Sequence, residues 1–209
     1  VVIEAAVQLC QAELETQTGR PLREDGQPSA LTVVGLGKCG GRELGYASDI
    51  ELMFIYDSNG QTTGPRVLTT TEFYERLVQE VRKAIHTRHE GSFDLDLQLR
   101  PYGSAGSLAV SLAAFRRYFA PGGPAWSYER QALIKLRPIA GDAALGEQVQ
   151  TLRESYVYGG ETFDVPAMRA MRERQLRHLV TPGRINAKYS PGGLDRKSTR
   201  LNSSHLVIS

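Results

Sequence analysis

The fold is decided by residues 33–57, which read VVGLGKCGGRELGYASDIELMFIYD. A β-branched strand is followed there by glycines at G-x-G-x-x-G spacing, a pattern typical of a dinucleotide-binding turn. The same stretch continues into a second strand, which carries Asp49 and Glu51 two residues apart. The first interpretation predicts a nicotinamide or flavin enzyme, and the second predicts a metal-dependent nucleotidyl transferase.

The spacing between the two strands argues against the dinucleotide fold. In that fold the first two parallel strands are joined by a crossover of at least about ten to twelve residues. Only seven residues separate Gly41 from Asp49, which leaves no room for the crossover helix. A Walker A loop is also excluded, because Lys38 is followed by Cys39 and not by Ser or Thr.

The second interpretation follows from the alternation of side chains along a strand. Residues i and i+2 point to the same face, so Asp49 and Glu51 are expected side by side. Two carboxylates about 4 Å apart repel by roughly 4 kcal/mol at an effective dielectric constant of about 20, and a bound cation relieves that repulsion. A third acid, Asp94 or Asp96, comes from the polar face of a strand predicted at 93–101, FDLDLQLRP. Three hard oxygen ligands suit Mg²⁺, whereas the alternative is a solvated strand face without a metal.

Periodicity elsewhere predicts mostly helices. An amphipathic helix over 2–17 precedes a polar linker at 19–30, a loop is expected at 58–68, and a T-x-x-E capping box opens a helix over 69–91. Further helices are predicted at 111–119, 126–136, 142–156 and 164–179. The order is helix, then β-β-α-β, then mainly helix, which indicates a small mixed sheet followed by a helical segment.

Composition narrows the class of protein. A chain of 209 residues with 41% hydrophobic residues can bury one full-sized core. The net charge of +2 gives no electrostatic argument for nucleic acid, and we expect no nucleic acid partner. The two distant cysteines are typical of a reducing compartment. No stretch approaches the about 20 apolar residues of a membrane span, so we expect a cytoplasmic protein without a membrane partner.

Because the sequence starts in mid-helix with Val1, we expect a fragment of a longer protein.

A series of motifs runs in order through residues 31–194. The glycine turn and its acids read G-x-G-K-x-G-G-x-E-L-x-x-x-S-D-I-E-L and are followed by D-L-x-L-R-P. Next come G-x-x-G-x-L-x-x-S-x-x-A-F at 103–115, YERQALIK at 128–135, RPIAGD at 137–142 and KYSPGGL at 188–194. Together these motifs closely resemble the nucleotidyltransferase domain of the glutamine synthetase adenylyltransferase family.

This resemblance implies an α+β chain with the polymerase-β-like nucleotidyltransferase fold, followed by a helical segment. It divides the chain into an N-terminal helix and linker, a catalytic core, a helical segment and a tail, at 1–30, 31–120, 121–194 and 195–209 respectively. The Ser-rich tail has no sustained periodicity and looks like translated adapter sequence. We therefore expect it to be non-native.

The resemblance also assigns roles to individual residues. It implies that Asp49, Glu51 and Asp96 are the catalytic acids and hold two Mg²⁺ ions, with Asp94 as the alternative to Asp96. The residues expected to bind nucleotide are Gly37, Lys38, Gly40, Gly41, Ser48 and Arg100.

Two positions depart from the family pattern, because many members carry Asp in place of Glu51 and Arg in place of Gln98. Arg100 remains available to pair with the acids or with phosphate. For Lys135 and Arg137, a nucleotide or partner contact and a purely structural ion-pairing role both remain open.

The activity implied is the transfer of AMP from ATP to a tyrosine of glutamine synthetase, or its removal by phosphorolysis to yield ADP. Implied partners are glutamine synthetase and, for the full-length enzyme, the PII signalling protein. Full-length members carry two such domains, one for each reaction, and the motifs do not decide between them. Two alternatives are a uridylyltransferase that modifies PII and a non-catalytic fragment that binds nucleotide or glutamine synthetase.

Overall fold

The structure is a computed structural model that describes residues 1–45, 48–85, 94–159, 164–186 and 190. Its strands are β1 (Pro21–Arg23), β2 (Leu31–Gly35), β3 (Ile50–Tyr56), β4 (Gly60–Thr62), β5 (Leu95–Asp96), β6 (Ala109–Ser111) and β7 (Arg137–Gly141). Its helices are α1 (Val2–Thr18), α2 (Gly37–Gly40), α3 (Thr70–Ile85), α4 (Leu112–Phe119), α5 (Ser127–Ala132), α6 (Ala143–Tyr158) and α7 (Val165–Leu179). This composition confirms the predicted α+β class.

Strand β3 is the centre of a five-stranded mixed sheet. Strand β2 runs antiparallel along one edge of β3 and is itself flanked by antiparallel β7. Strands β5 and β6 both run parallel to β3, with β5 beside its first residues and β6 beside its last. The sheet thus brings the start of β3, the end of β2 and all of β5 to one region.

Both faces of the sheet are covered by helices. All seven residues of β3 are buried, and their side chains alternate between two apolar clusters. Leu52 and Phe54 belong to the cluster formed with α1 and α3. Met53 and Ile55 belong to the cluster formed with α4 and α6. A central strand with two covered faces needs an almost continuous apolar run, which is why β3 reads IELMFIY.

The helix starts predicted from the sequence are confirmed by their caps. At α3 the Thr69 N–H donates to Glu72 Oε2 at 2.8 Å, and the Glu72 N–H donates to Thr69 Oγ1 at 3.2 Å. Ser111, Asp142 and Asp164 accept backbone N–H bonds at the starts of α4, α6 and α7. The predicted continuation of α3 to residue 91 lies outside the described residues, as does the tail at 195–209.

Several short strands differ from the sequence prediction. The expected linker at 19–30 and loop at 58–68 contain β1 and β4, which form a separate two-stranded antiparallel sheet. Strands β6 and β7 lie where only helices were expected. A strand of three residues is too short for its periodicity to be recognised. In β7, Pro138 argues against a strand, because proline is found in sheets mainly at edge strands and bulges. The bulge between Val33 and Val34 in the β2–β7 pairing lies beside that proline.

The strand predicted at 93–101 is wrong in its extent, since only Leu95–Asp96 pair within the described part of it. The chain turns immediately afterwards, because Asp96 Oδ1 accepts the Gln98 N–H at 2.8 Å. The predicted helix at 126–136 is likewise split into α5 and a 3₁₀ turn at Leu133–Lys135. Among the described helices, none has the length and apolar run required to cross a membrane.

Candidate active site

The glycine turn joins β2 to β3 through the short helix α2. Its later N–H groups donate within the turn itself, from Gly40 to the Leu36 carbonyl at 2.7 Å and from Gly41 to the Gly37 carbonyl at 3.0 Å. The Glu43 N–H closes the turn on the Lys38 carbonyl at 2.8 Å. The N–H groups of Gly40 and Gly41 are therefore already used within the turn. At these two positions the absence of a side chain lets another group come close to the backbone, and their contact with phosphate stays a prediction.

Gly37 is the position where this turn meets an acid. Its φ of +45° lies in the left-handed region, which side chains of L-residues rarely adopt. A Cβ atom on Gly37 would lie 1.3 Å from Oε2 of Glu51. The Glu51 carboxylate therefore packs directly against the backbone of the turn, and a side chain at position 37 would force that carboxylate to move.

The three predicted acids occupy different environments. Glu51 lies within β3 and is only 8% exposed, which contradicts a solvated strand face at this position. Asp96 is half-buried and pairs in register with Glu51 through the parallel β3–β5 ladder. Residues paired in this way point to the same face of a sheet whose strands lie about 4.8 Å apart. Asp49 is exposed and precedes the first residue of β3.

The structure thus brings Glu51 and Asp96 together and leaves Asp49 at the entrance to the strand. In the part of the chain that the structure describes, no three His, Cys, Asp or Glu side chains are already grouped to hold a metal ion. Asp94, the alternative third acid, is exposed, and its backbone carbonyl accepts the Ile50 N–H at 2.8 Å. The backbone of Asp94 therefore contributes to the sheet pairing.

Lys38 and Ser48, two further predicted nucleotide contacts, lie close together on the turn. The Lys38 side chain is exposed, and its Nζ donates to Ser48 Oγ at 3.5 Å. Ser48 is buried, and its hydroxyl also accepts the Gly45 N–H at 3.0 Å. Ser48 thereby anchors the segment that leads into Asp49, and Lys38 leaves a positive charge at the surface of the turn.

Arg100 contacts its own loop. Its guanidinium donates to the backbone carbonyls of Leu97, Ser104 and Gly106, the last at 3.1 Å. Burial lowers the pKa of Arg100, whereas the nearby Asp96 carboxylate acts in the opposite direction. Arg100 therefore orders the loop that follows Asp96, while its predicted contact with nucleotide stays a prediction.

Two basic residues, one in the edge strand β7 and one just before it, contact the glycine turn. Arg137 donates from Nε to the Gly40 carbonyl at 2.9 Å and from Nη2 to the Cys39 carbonyl at 3.0 Å. Lys135 forms a 2.6 Å ion pair with Glu43. Sequence reasoning left both roles open, because the motif RPIAGD gives no indication that β7 lies next to β2.

The Cys39 thiol is part of the same turn. Burial raises its pKa, the Glu51 carboxylate acts in the same direction, and the Arg137 guanidinium acts against both. Burial thus favours the neutral thiol, and the buried Cys39 side chain belongs to the apolar cluster beside the turn.

A small cavity lies beside the loop that follows Asp96. Its volume is about 40 Å³, and it is bordered by Arg100, Tyr118 and Glu129 among apolar side chains. The Tyr118 hydroxyl donates to Glu129 Oε2 at 2.8 Å, and burial raises the pKa of Glu129. A cavity of this size holds a few water molecules and not a nucleotide. Glu129 therefore orders the wall of this cavity through its bond with Tyr118.

Comparison with known proteins decides the family. The sequence model of glutamate-ammonia ligase adenylyltransferase matches residues 1–152. The chain belongs to this family. A bifunctional glutamine synthetase adenylyltransferase/adenylyl-removing enzyme of Xanthomonas campestris pv. campestris strain B100 is 36% identical over 212 residues, covering 98% of this chain and 22% of the relative.

Two further relatives carry the same name. The protein of Stenotrophomonas maltophilia strain K279a is 41% identical over 174 residues, which is 82% of this chain and 18% of the relative. That of Idiomarina loihiensis is 36% identical over 203 residues, which is 92% of this chain and 21% of the relative. The chain spans about a fifth of the length of these curated relatives.

Membership in the glutamate-ammonia ligase adenylyltransferase family confirms the resemblance seen in the motifs and favours it over a PII-modifying uridylyltransferase. The small mixed sheet with helices on both faces agrees with a nucleotidyltransferase-like fold. In this chain the glycine turn lies against the Glu51 carboxylate, and Asp96 pairs with Glu51 in the sheet.

Proposed function

We propose that this chain is a Mg²⁺-dependent nucleotidyltransferase domain acting on glutamine synthetase. It transfers AMP from ATP to a tyrosine hydroxyl, or it removes that AMP by phosphorolysis. One observation carries the proposal, namely that parallel pairing of β3 with β5 places Asp96 beside Glu51 where Gly37 touches the Glu51 carboxylate. Family membership supports it independently.

The proposed metal ligands are Glu51, Asp96 and Asp49. All are carboxylates, the hard oxygen donors that Mg²⁺ prefers, and two of them occupy paired positions on one face of the sheet. When bound, Mg²⁺ supplies charge neutralisation for the acids and for the phosphates of ATP. The exposure of Asp49 leaves its carboxylate open to solvent and substrate.

The residues of the turn are proposed to orient the triphosphate. Lys38 offers an exposed positive charge next to Ser48, at the side of the turn that leads to Asp49. In the transfer reaction the tyrosine oxygen bonds to the α-phosphorus of ATP and pyrophosphate leaves. In phosphorolysis an oxygen of inorganic phosphate attacks the AMP phosphorus, so that the tyrosine oxygen leaves and ADP forms. Both are in-line displacements that need the same positioning.

Glutamine synthetase is the proposed protein substrate because the curated relatives are named for it. The PII signalling protein is proposed as a partner of the full-length enzyme only. The family resemblance alone supports that assignment.

The experiment that tests this function is Mg²⁺-dependent stabilisation of the 209-residue chain by ATP. A ligand present at 100 times its Kd stabilises the folded state by about 2.7 kcal/mol, which is readily seen as a rise in Tm. We expect this rise with ATP and Mg²⁺ together, and we expect its loss in Asp49→Ala. The control Glu13→Ala removes an exposed acid on α1 and should leave the rise unchanged.

A rise in Tm that does not depend on Mg²⁺, or that persists in Asp49→Ala, would contradict the proposed metal site. It would favour the alternative of a non-catalytic fragment that binds nucleotide. Parallel assays of AMP transfer and of phosphate-driven AMP release then assign the direction of the reaction.

A further inference from the structure

We infer that Arg137 is a positioning residue that holds the glycine turn in the conformation required for triphosphate binding. This inference rests on the function proposed above. It extends that function to a residue outside both acid-bearing strands, at the edge of the sheet.

Arg137 makes two hydrogen bonds to the glycine turn. Strand pairing sets Arg137 opposite Gly35, the last residue of β2 before the turn. From there its guanidinium reaches the carbonyls of Cys39 and Gly40 at 3.0 and 2.9 Å. These carbonyls lie at the C-terminal end of α2, where the Cys39 carbonyl also accepts the Arg42 N–H at 3.3 Å. Hydrogen bonds from a charged donor are about twice as strong as neutral ones.

Lys135 packs against the same turn. A Cβ on Gly40 would lie 1.9 Å from the Lys135 carbonyl oxygen, and one on Gly41 would lie 2.9 Å from Lys135 Cδ. The Lys135 side chain is largely buried, and its Nζ reaches Glu43 at 2.6 Å. Residues 135–137 therefore contact the turn from Cys39 to Glu43 through backbone and side chains.

These contacts are connected to the acids through the glycine turn. The turn begins at Gly37, whose backbone lies against the Glu51 carboxylate, and the contacts from β7 fix its other end. Between these two ends lies the exposed Lys38, whose Nζ donates to Ser48 Oγ at 3.5 Å. Releasing the end at Gly40 frees the turn to move relative to the acids. Arg137 therefore influences the nucleotide through the turn, since two of its nitrogens already donate to protein carbonyls.

The test compares Arg137→Ala, Arg137→Lys and wild type in the 209-residue chain. Lysine has a single ammonium group and loses the forked geometry that reaches both carbonyls. The matched control is Arg20→Ala, which removes an exposed arginine that forms a 3.4 Å ion pair with Glu15. Each variant is measured by calorimetric titration with Mg²⁺ and ATP, by Tm, and by hydrogen exchange of the peptide covering the turn.

We expect the Kd for ATP to rise at least about tenfold in Arg137→Ala, the range typical for loss of an outer-shell partner. In Arg137→Lys we expect a smaller rise, and in Arg20→Ala none. Hydrogen exchange should accelerate in the turn of Arg137→Ala and stay unchanged in α1 and α3. In AMP transfer the KM for ATP should rise more than kcat falls, which general destabilisation would not produce.

Should Arg137→Ala fail to fold, Arg137→Lys and Lys135→Ala carry the same test, because each removes only part of the contact with the turn. Wild-type affinity in a folded Arg137 variant overturns this inference and leaves the proposed function intact. Absence of ATP binding by the wild type overturns the proposed function, and the inference falls with it.

Discussion

Replacement of Gly37 by alanine tests the link between the turn and the buried acid. The added Cβ meets two obstacles, a φ of +45° and the Glu51 Oε2 atom 1.3 Å away. Gly26 provides a matched control, since its φ is +79° and a Cβ there meets nothing within 4 Å. The two substitutions therefore share the backbone strain and differ in the clash with the carboxylate.

The magnitudes follow from these contacts. Left-handed backbone costs about 1–2 kcal/mol for a residue with a Cβ, and this is the loss expected for Gly26→Ala. Overpacking at a buried site adds about 1–3 kcal/mol. Gly37→Ala should therefore lower the free energy of unfolding by about 2–5 kcal/mol in total, and it should displace the Glu51 carboxylate from its position beside Asp96.

The assay is urea unfolding of both variants, followed by titration with Mg²⁺ and ATP under conditions where both are folded. We expect Gly26→Ala to bind ATP as the wild type does and Gly37→Ala to bind it more weakly. Equal losses of stability in the two variants, together with normal ATP binding by Gly37→Ala, would refute the contact between Gly37 and Glu51.

Three further predictions concern stability. Burial raises the folded-state pKa of Glu129. The contribution of this carboxyl to stability is therefore full below its unfolded pKa and is lost as pH rises through its folded pKa. Urea unfolding at pH 4 to 7 should show that wild type loses stability with rising pH relative to Glu129→Gln. Phe115→Ala empties a fully buried position and should cost about 3–5 kcal/mol in urea unfolding. Thr69→Ala removes the side-chain cap of α3 that pairs with Glu72 and should cost about 1 kcal/mol with ATP binding retained.

Each of these has a result that would contradict it. Parallel pH profiles for wild type and Glu129→Gln would show that the carboxyl titrates normally. A loss below about 1 kcal/mol for Phe115→Ala would place that ring outside the core. Unchanged unfolding of Thr69→Ala would show that the capping box contributes nothing.

The parts of the fold that follow from the sequence are those with a repeated pattern or a cap. Strand β3 was recognisable because every one of its residues is apolar except Glu51, and α3 because its cap and apolar stripe agree. Strand β7 was not recognisable, because Pro138 removes a backbone donor and because the strand forms by pairing with the distant β2. Its assignment depends on contacts between residues about a hundred positions apart, which no local pattern contains.

The same distinction applies to the site. The spacing of Asp49 and Glu51 indicated a pair of acids, but the start of β3 at Ile50 gives them different exposure. The hydrogen-bond partners of Arg100 and Arg137 could not be predicted, because they are backbone carbonyls, which no sequence pattern marks. The need for glycine at position 37 becomes visible only once Glu51 is seen against it.

The most direct test of the proposed acid pair follows the transfer of labelled AMP from α-labelled ATP onto glutamine synthetase, with Mg²⁺ and the 209-residue chain. Wild type is compared with Glu51→Gln, Asp96→Asn and the exposed-acid control Glu13→Gln, with phosphate-driven release of AMP from modified synthetase measured alongside. We predict that wild type and Glu13→Gln catalyse one of the two reactions and that Glu51→Gln and Asp96→Asn lose it. Full activity in Glu51→Gln or Asp96→Asn would contradict the pairing of these two acids as the catalytic centre.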